Sequence, residues 1–119
     1  KATLDSIAYQ TKDVLISMES DVGSKINTLN VDGGASNNNY LMQFQSDILG
    51  INIKRPKNTE LTALGAGYIA GLKPAFWDID HLKKLNKNNT LFHHSYDKNQ
   101  IDDLYNKWKK AVHRSMNWN

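Results

Sequence analysis

The chain has 119 residues, 39% of them hydrophobic and 23% charged, with no cysteine and a formal charge of +3. This is one globular domain or part of one, and it excludes a disulfide framework or a thiolate metal site. No apolar run approaches the roughly 20 residues of a membrane span, no signal-peptide pattern opens the chain, and the charge is too small to argue for nucleic acid.

The first predicted element is an amphipathic helix over residues 3–18. Leu4, Ile7, Ala8, Thr11, Leu15 and Met18 recur at helical spacing, with Val14 beside them. It begins almost at the first residue without a capping box, which suggests a chain cut from something longer. Residues 20–25 read as a polar turn around Gly23, and residues 26–32 as a strand. Gly33-Gly34 then makes a turn that residues without Cβ adopt at low cost. Residues 37–49 read as a helix with Tyr40, Leu41, Phe44 and Ile48 on one face, Met42 and Leu49 beside it, and Gly50 as terminator.

A strand, a Gly-Gly turn and a helix can bring a nucleotide against backbone, because the first helical turn presents unpaired N–H donors and partial positive charge. The same pattern also serves as a tight connection inside an α/β core. Asp32, just before the glycines, is either a base or metal ligand or, as is commoner, a carboxylate that orders the turn by accepting backbone N–H bonds.

Residues 51–55 alternate apolar and polar and read as a strand ended by Pro56. Asn58 or Thr59 caps the next helix, residues 59–72, with Glu60 in its first turn. Leu61, Leu64, Tyr68 and Leu72 form its stripe, and Ala63, Ala66, Gly67 and Ala70 a small-residue side. Gly65 and Gly67 each cost about 1 kcal/mol in a helix. Close packing would offset that, which places this helix deep in a core. Lys73-Pro74 stops it. Phe76 and Trp77 are apolar anchors, residues 78–85 a short helix capped by Asp78, and residues 86–90 a polar loop. His93-His94 lacks a spaced third metal ligand. Asp97 and Gln100 form a capping box for a last helix, residues 99–116, with Ile101, Leu104, Tyr105, Trp108, Val112 and Met116 as its stripe. Lys107, Lys109, Lys110, His113 and Arg114 make its other face basic and solvated.

Two predicted strands are too few for a self-sufficient sheet. Each is followed by a helix, which suits a parallel or mixed sheet with covered faces. The class is therefore α/β with helices packed on an incomplete sheet, to be completed by residues outside this chain or by another copy of it.

LNVDGGASNNNYLMQFQSDILG, followed by INIKRP, ELTALGAGYIAGL, FW and WKKAVHRSMNW, resembles the C-terminal end of the glycerol kinase family, part of the FGGY carbohydrate kinases in the actin-like ATPase superfamily. The match runs in register from about residue 2 to residue 118. Gly67 departs from the common Ala, the asparagines around Asn37 are unusual, and FHHSYD falls in a variable segment. The resemblance implies the last part of the second of two RNase H-like domains. It implies a cytoplasmic, ATP-dependent enzyme of glycerol catabolism that transfers the γ-phosphate of MgATP to glycerol, giving glycerol 3-phosphate and ADP. It implies a homo-oligomeric parent with no nucleic-acid or membrane partner. Carried over by position, Gly34 approaches the nucleotide through its backbone, Asn38 supplies a polar side chain near adenine and ribose, and Gly33 shapes the turn. Catalytic, glycerol-binding and Mg²⁺-binding groups lie outside this stretch, so the chain alone is expected to be inactive. A stand-alone interaction module that keeps the subfold without the chemistry is the alternative.

Overall fold

The computed structural model describes residues 1–72, 76–85 and 89–116, and the side chains of all of these but 83–85. Three strands form the sheet in the order β1 (Thr28–Asn30), β2 (Asn52–Pro56), β3 (Asn89–Phe92). β1 and β2 run parallel, with Leu29 opposite Ile53, and β3 runs antiparallel to β2, with Phe92 opposite Ile53. A parallel pair needs a crossover, and α2 (Asn39–Leu49) supplies it. The sheet is thus mixed, with one more strand than the sequence predicts. The expected polar loop over residues 86–90 is corrected: Asn89 and Thr90 belong to β3, and residues 86–88 lie outside the described residues. Leu91 and Phe92 follow one another without alternation, so only pairing with the edge of β2 reveals the strand.

α2 is the centre of the packing. Its residues Leu41 to Leu49 are all buried except the half-buried Gln43. They meet Ile53 of the sheet on one side and Ala8 and Leu15 of α1 (Ala2–Val22) on the other. Full burial of a side chain such as Ile48, Leu41 or Ile53 contributes roughly 1.5–3 kcal/mol each. α1 is longer than predicted. The residues after Met18 continue the helix, and Gly23 ends it at φ 69°, donating its N–H to the Glu19 carbonyl at 2.9 Å. Ala8 and Leu15 of the predicted stripe are buried, whereas Ile7 and Met18 are exposed.

Buried polar groups fix the neighbours of α2. The Ser46 hydroxyl lies 2.7 Å from the Ile51 carbonyl and 3.1 Å from that of Phe92, so it links the residue before β2 to the end of β3. Asp47, only 4% exposed, accepts from the Ser95 amide at 2.7 Å, the Ser95 hydroxyl at 2.9 Å and Gln43 at 3.2 Å. These bonds place the loop that leads into α5 (Lys98–Ser115). Asp97 and Gln100 form the predicted capping box. Ile101, Leu104, Tyr105, Trp108 and Val112 are the half-buried stripe of α5, and Met116 ends it exposed.

The expectation that α3 (Leu61–Leu72) lies deep in a core is overturned. Ala63, Ala66, Gly67 and Ala70 are exposed, as is Ile69 at 72%. Among the residues whose side chains are described, none of α3 or α4 (Ile79–Leu85) belongs to the hydrophobic core. α2 covers the face of the small sheet that carries Ile53, and α1 and α5 pack on α2 rather than on α3. Trp77 alone behaves as an anchor: its ring lies against Gly71, and its Nε1 donates to the Tyr68 carbonyl at 2.8 Å. Phe76, expected as a second anchor, is 78% exposed. Asp78 caps α4 through the His81 amide, as predicted. The predicted stop at Lys73-Pro74 lies outside the described residues.

Candidate functional site

The site grows from the carboxyl end of β1, where ligands gather in parallel α/β sheets. Val31 continues the ladder by donating to the Lys54 carbonyl at 3.1 Å. Gly33 then turns the chain at φ 78° and ψ 170°, a region that is essentially glycine's own. Residues Gly34–Asn37 form one turn of 3-10 helix, and α2 starts at Asn39 rather than at the predicted Asn37. Gly33 closes the turn through its carbonyl, which accepts from the Ser36 amide at 3.1 Å and the Ser36 hydroxyl at 2.7 Å.

Two groups remote in sequence brace this turn. From the loop before α3, the Thr59 carbonyl accepts the Gly33 N–H at 2.8 Å, and Thr59 Oγ1 accepts from Asn37 at 3.3 Å. From β2, Arg55 donates to the Ser36 carbonyl at 2.7 Å and to Asn39 Oδ1 at 2.9 Å. Asn58, one of the two predicted caps, accepts the Glu60 amide at 2.9 Å and shapes the same loop. The sequence reading missed Arg55 and took Thr59 only as a cap of α3. Arg55 carried a signal: period two puts it on the covered side of β2 with Ile53, where a cation needs partners.

The residues expected to meet a nucleotide differ in their surroundings. A Cβ on Gly34 would meet nothing within 4 Å, so space beside its backbone is open. Asn38 is exposed and is the N-cap of α2, its Oδ1 accepting from the Leu41 amide at 3.1 Å. With that oxygen engaged, the amide NH₂ is what Asn38 can offer a ligand, and it can only donate. Asp32 is exposed and receives none of the hydrogen bonds that hold the turn; the ordering role expected for it falls to the Thr59 carbonyl.

Beside the turn lies a cleft of about 390 Å³ lined by Asn30, Val31, Asp32, Lys54, Pro56, Leu61 and Asn89. It spans the carboxyl ends of β1 and β2 and the start of α3. Its floor is backbone and strand side chains, and Asp32 and Lys54 bring opposite charges to its wall. Among the described residues no three histidine, aspartate or glutamate side chains converge. His93 Nδ1 instead shares a 3.0 Å hydrogen bond with Asn52 Oδ1. The arrangement can bind and orient through backbone donors, a helix N-terminus and the Asn38 amide.

Residues 1–73 match the FGGY family of carbohydrate kinases, C-terminal domain. The chain is 52% identical over 119 residues to a glycerol kinase of Haemophilus influenzae, covering 99% of this chain and 24% of that protein. A glycerol kinase of Streptococcus pneumoniae is 54% identical over 113 residues, covering 94% of this chain and 22% of the relative. The crystal structure of Plasmodium falciparum glycerol kinase with ADP superposes with a TM-score of 0.82 at 36% identity, over 95% of this chain and 23% of that one. The chain therefore spans about a quarter of the length of the relatives it matches.

Proposed function

The chain belongs to the FGGY family of carbohydrate kinases, and from that membership we propose that it forms the adenosine-side wall of the nucleotide pocket of a glycerol kinase, at the end of the second kinase domain. The complete enzyme would transfer the γ-phosphate of MgATP to glycerol in the cytoplasm. The observation that carries this reading is the Gly33–Asn38 turn: a braced backbone at the carboxyl end of β1, with open space at Gly34 and a capped helix N-terminus behind it. The solved relative that superposes on this chain was crystallised with ADP.

On this reading Gly34 lets the nucleoside lie against the main chain, and the Asn38 NH₂ donates to a ring nitrogen or ribose oxygen. Gly33 holds both in place. Phosphoryl transfer depends on positioning and on neutralising charge, and this stretch supplies the first. ATP brings Mg²⁺, whose charge neutralisation the reaction needs; among the described residues no three carboxylate or histidine side chains converge on one point.

The test is a fusion in which this chain replaces the corresponding quarter of the Haemophilus influenzae enzyme. Gly34→Val should raise the Michaelis constant for ATP about tenfold or more, since the side chain enters the space of the nucleotide, and leave that for glycerol within about twofold. Unchanged ATP kinetics with impaired glycerol binding would overturn the assignment.

A further inference from the structure

We propose that Arg55 is a positioning residue for the nucleotide, acting through the turn rather than by touching the ligand; this rests on the reading of that turn as the adenosine wall. Its two recorded acceptors lie three residues apart in sequence, on either side of Asn38. One Nη1 reaches both the Ser36 carbonyl, in the 3-10 turn, and Asn39 Oδ1, on the first residue of α2. Ser36 is 2% exposed and is tied twice to the Gly33 carbonyl. Arg55 therefore sets the distance between Gly34 and Asn38, the two groups expected to meet the nucleoside.

The anchoring of Arg55 itself explains why this residue type suits the position. It stands on β2 in register with Thr90, and its side chain leaves the same face as buried Ile53. The guanidinium lies 5.0 Å from the centroid of the Phe92 ring on the neighbouring strand. A planar cation can lie over a ring and still direct two protons at fixed acceptors. A lysine keeps the charge and can reach an oxygen, but its ammonium is a point donor with no plane to match the ring. The whole brace crosses from sheet to turn, so it couples the strand pair β2–β3 to the position of the α2 N-terminus.

A residue that merely stabilised the fold would affect ATP and glycerol alike. A positioning residue should separate them. In the fused kinase, Arg55→Gln should raise the ATP Michaelis constant about tenfold, with glycerol changed by less than about twofold, and Arg55→Lys, which keeps the charge but loses the planar fork, should raise it by about threefold with the same selectivity. Gly34→Val in the same fusion separates the two ideas. If Gly34→Val raises the ATP constant and Arg55→Gln does not, the inference on Arg55 is wrong and the wall remains. If neither changes it, the wall reading fails and takes this inference with it. If Arg55→Gln does not fold, Arg55→Lys decides: a selective rise for ATP supports the role, and equal changes for both substrates refute it.

Discussion

Tyr105 on α5 donates its hydroxyl proton to the Asp13 carboxylate on α1, and this bond joins residues 92 positions apart. The other oxygen of Asp13 accepts from Trp108 Nε1 at 3.1 Å. The Trp108 ring stacks on Tyr9, with 5.2 Å between centroids and 10° between planes. α5 has no fully buried residue, so these contacts, with Leu104 against the core, hold the last helix in place.

The first prediction follows from that bond. Burial, then the hydrogen bond to Asp13, pushes the Tyr105 phenol up to about 12 from an ordinary 10.0. A raised folded value means that the neutral hydroxyl stabilises the fold fully below pH 10, and that this contribution is lost as pH rises toward 12. Lys12, which lies over the Tyr105 ring, is lowered by burial, so its contribution moves the opposite way in alkali. The difference in tyrosinate absorbance between the native chain and Tyr105→Phe isolates the one phenol. Its midpoint should lie near 12. A midpoint near 10 would show that α5 is not docked through Asp13.

The two glycines of the turn should respond in opposite ways. Gly33→Ala forces a Cβ into the φ 78° conformation and should cost about 1–3 kcal/mol of stability. Gly34 has no positive φ and open space around its Cβ position. Gly34→Ala should therefore leave stability unchanged or raise it by about 0.4–1 kcal/mol, because it restricts the unfolded chain. Urea unfolding of both variants of the 119-residue chain checks this. Equal losses in both would mean that Gly34 is required by the fold and is not reserved for a ligand.

The 119-residue chain by itself should not phosphorylate glycerol and should bind MgATP too weakly to matter at physiological concentrations. Its turn offers a few exposed donors, each contributing about 0.5–1.5 kcal/mol, against an association cost of several kcal/mol. The exposed Ile69 and Phe76 around α3 should drive self-association. Calorimetry with MgATP and sedimentation velocity measure the two halves. A monodisperse monomer with micromolar ATP affinity would show a pocket complete within this chain.

The sequence by itself determined the local elements and the place of the turn. Helical spacing marked α1, α2 and α5. Asp97 with Gln100 marked the start of α5, and the Gly33-Gly34 pair marked a turn, whose first residue takes a φ of 78°. All of these are set by residues within a few positions of one another, so the pattern is complete in the string. What depends on partners distant in the chain was decided only by the tertiary structure. β3 exists because residues 89–92 pair with β2, not because they alternate. The small residues of α3 pointed to close packing, but whether a helix is covered depends on what else is present to cover it, and here α1 and α5 pack on α2 and leave Ala63, Ala66, Gly67 and Ala70 exposed. Arg55 and Thr59 brace the turn across 19 and 26 residues respectively. A hydrogen bond at that separation is fixed by strand register and side-chain reach, neither of which a local pattern records.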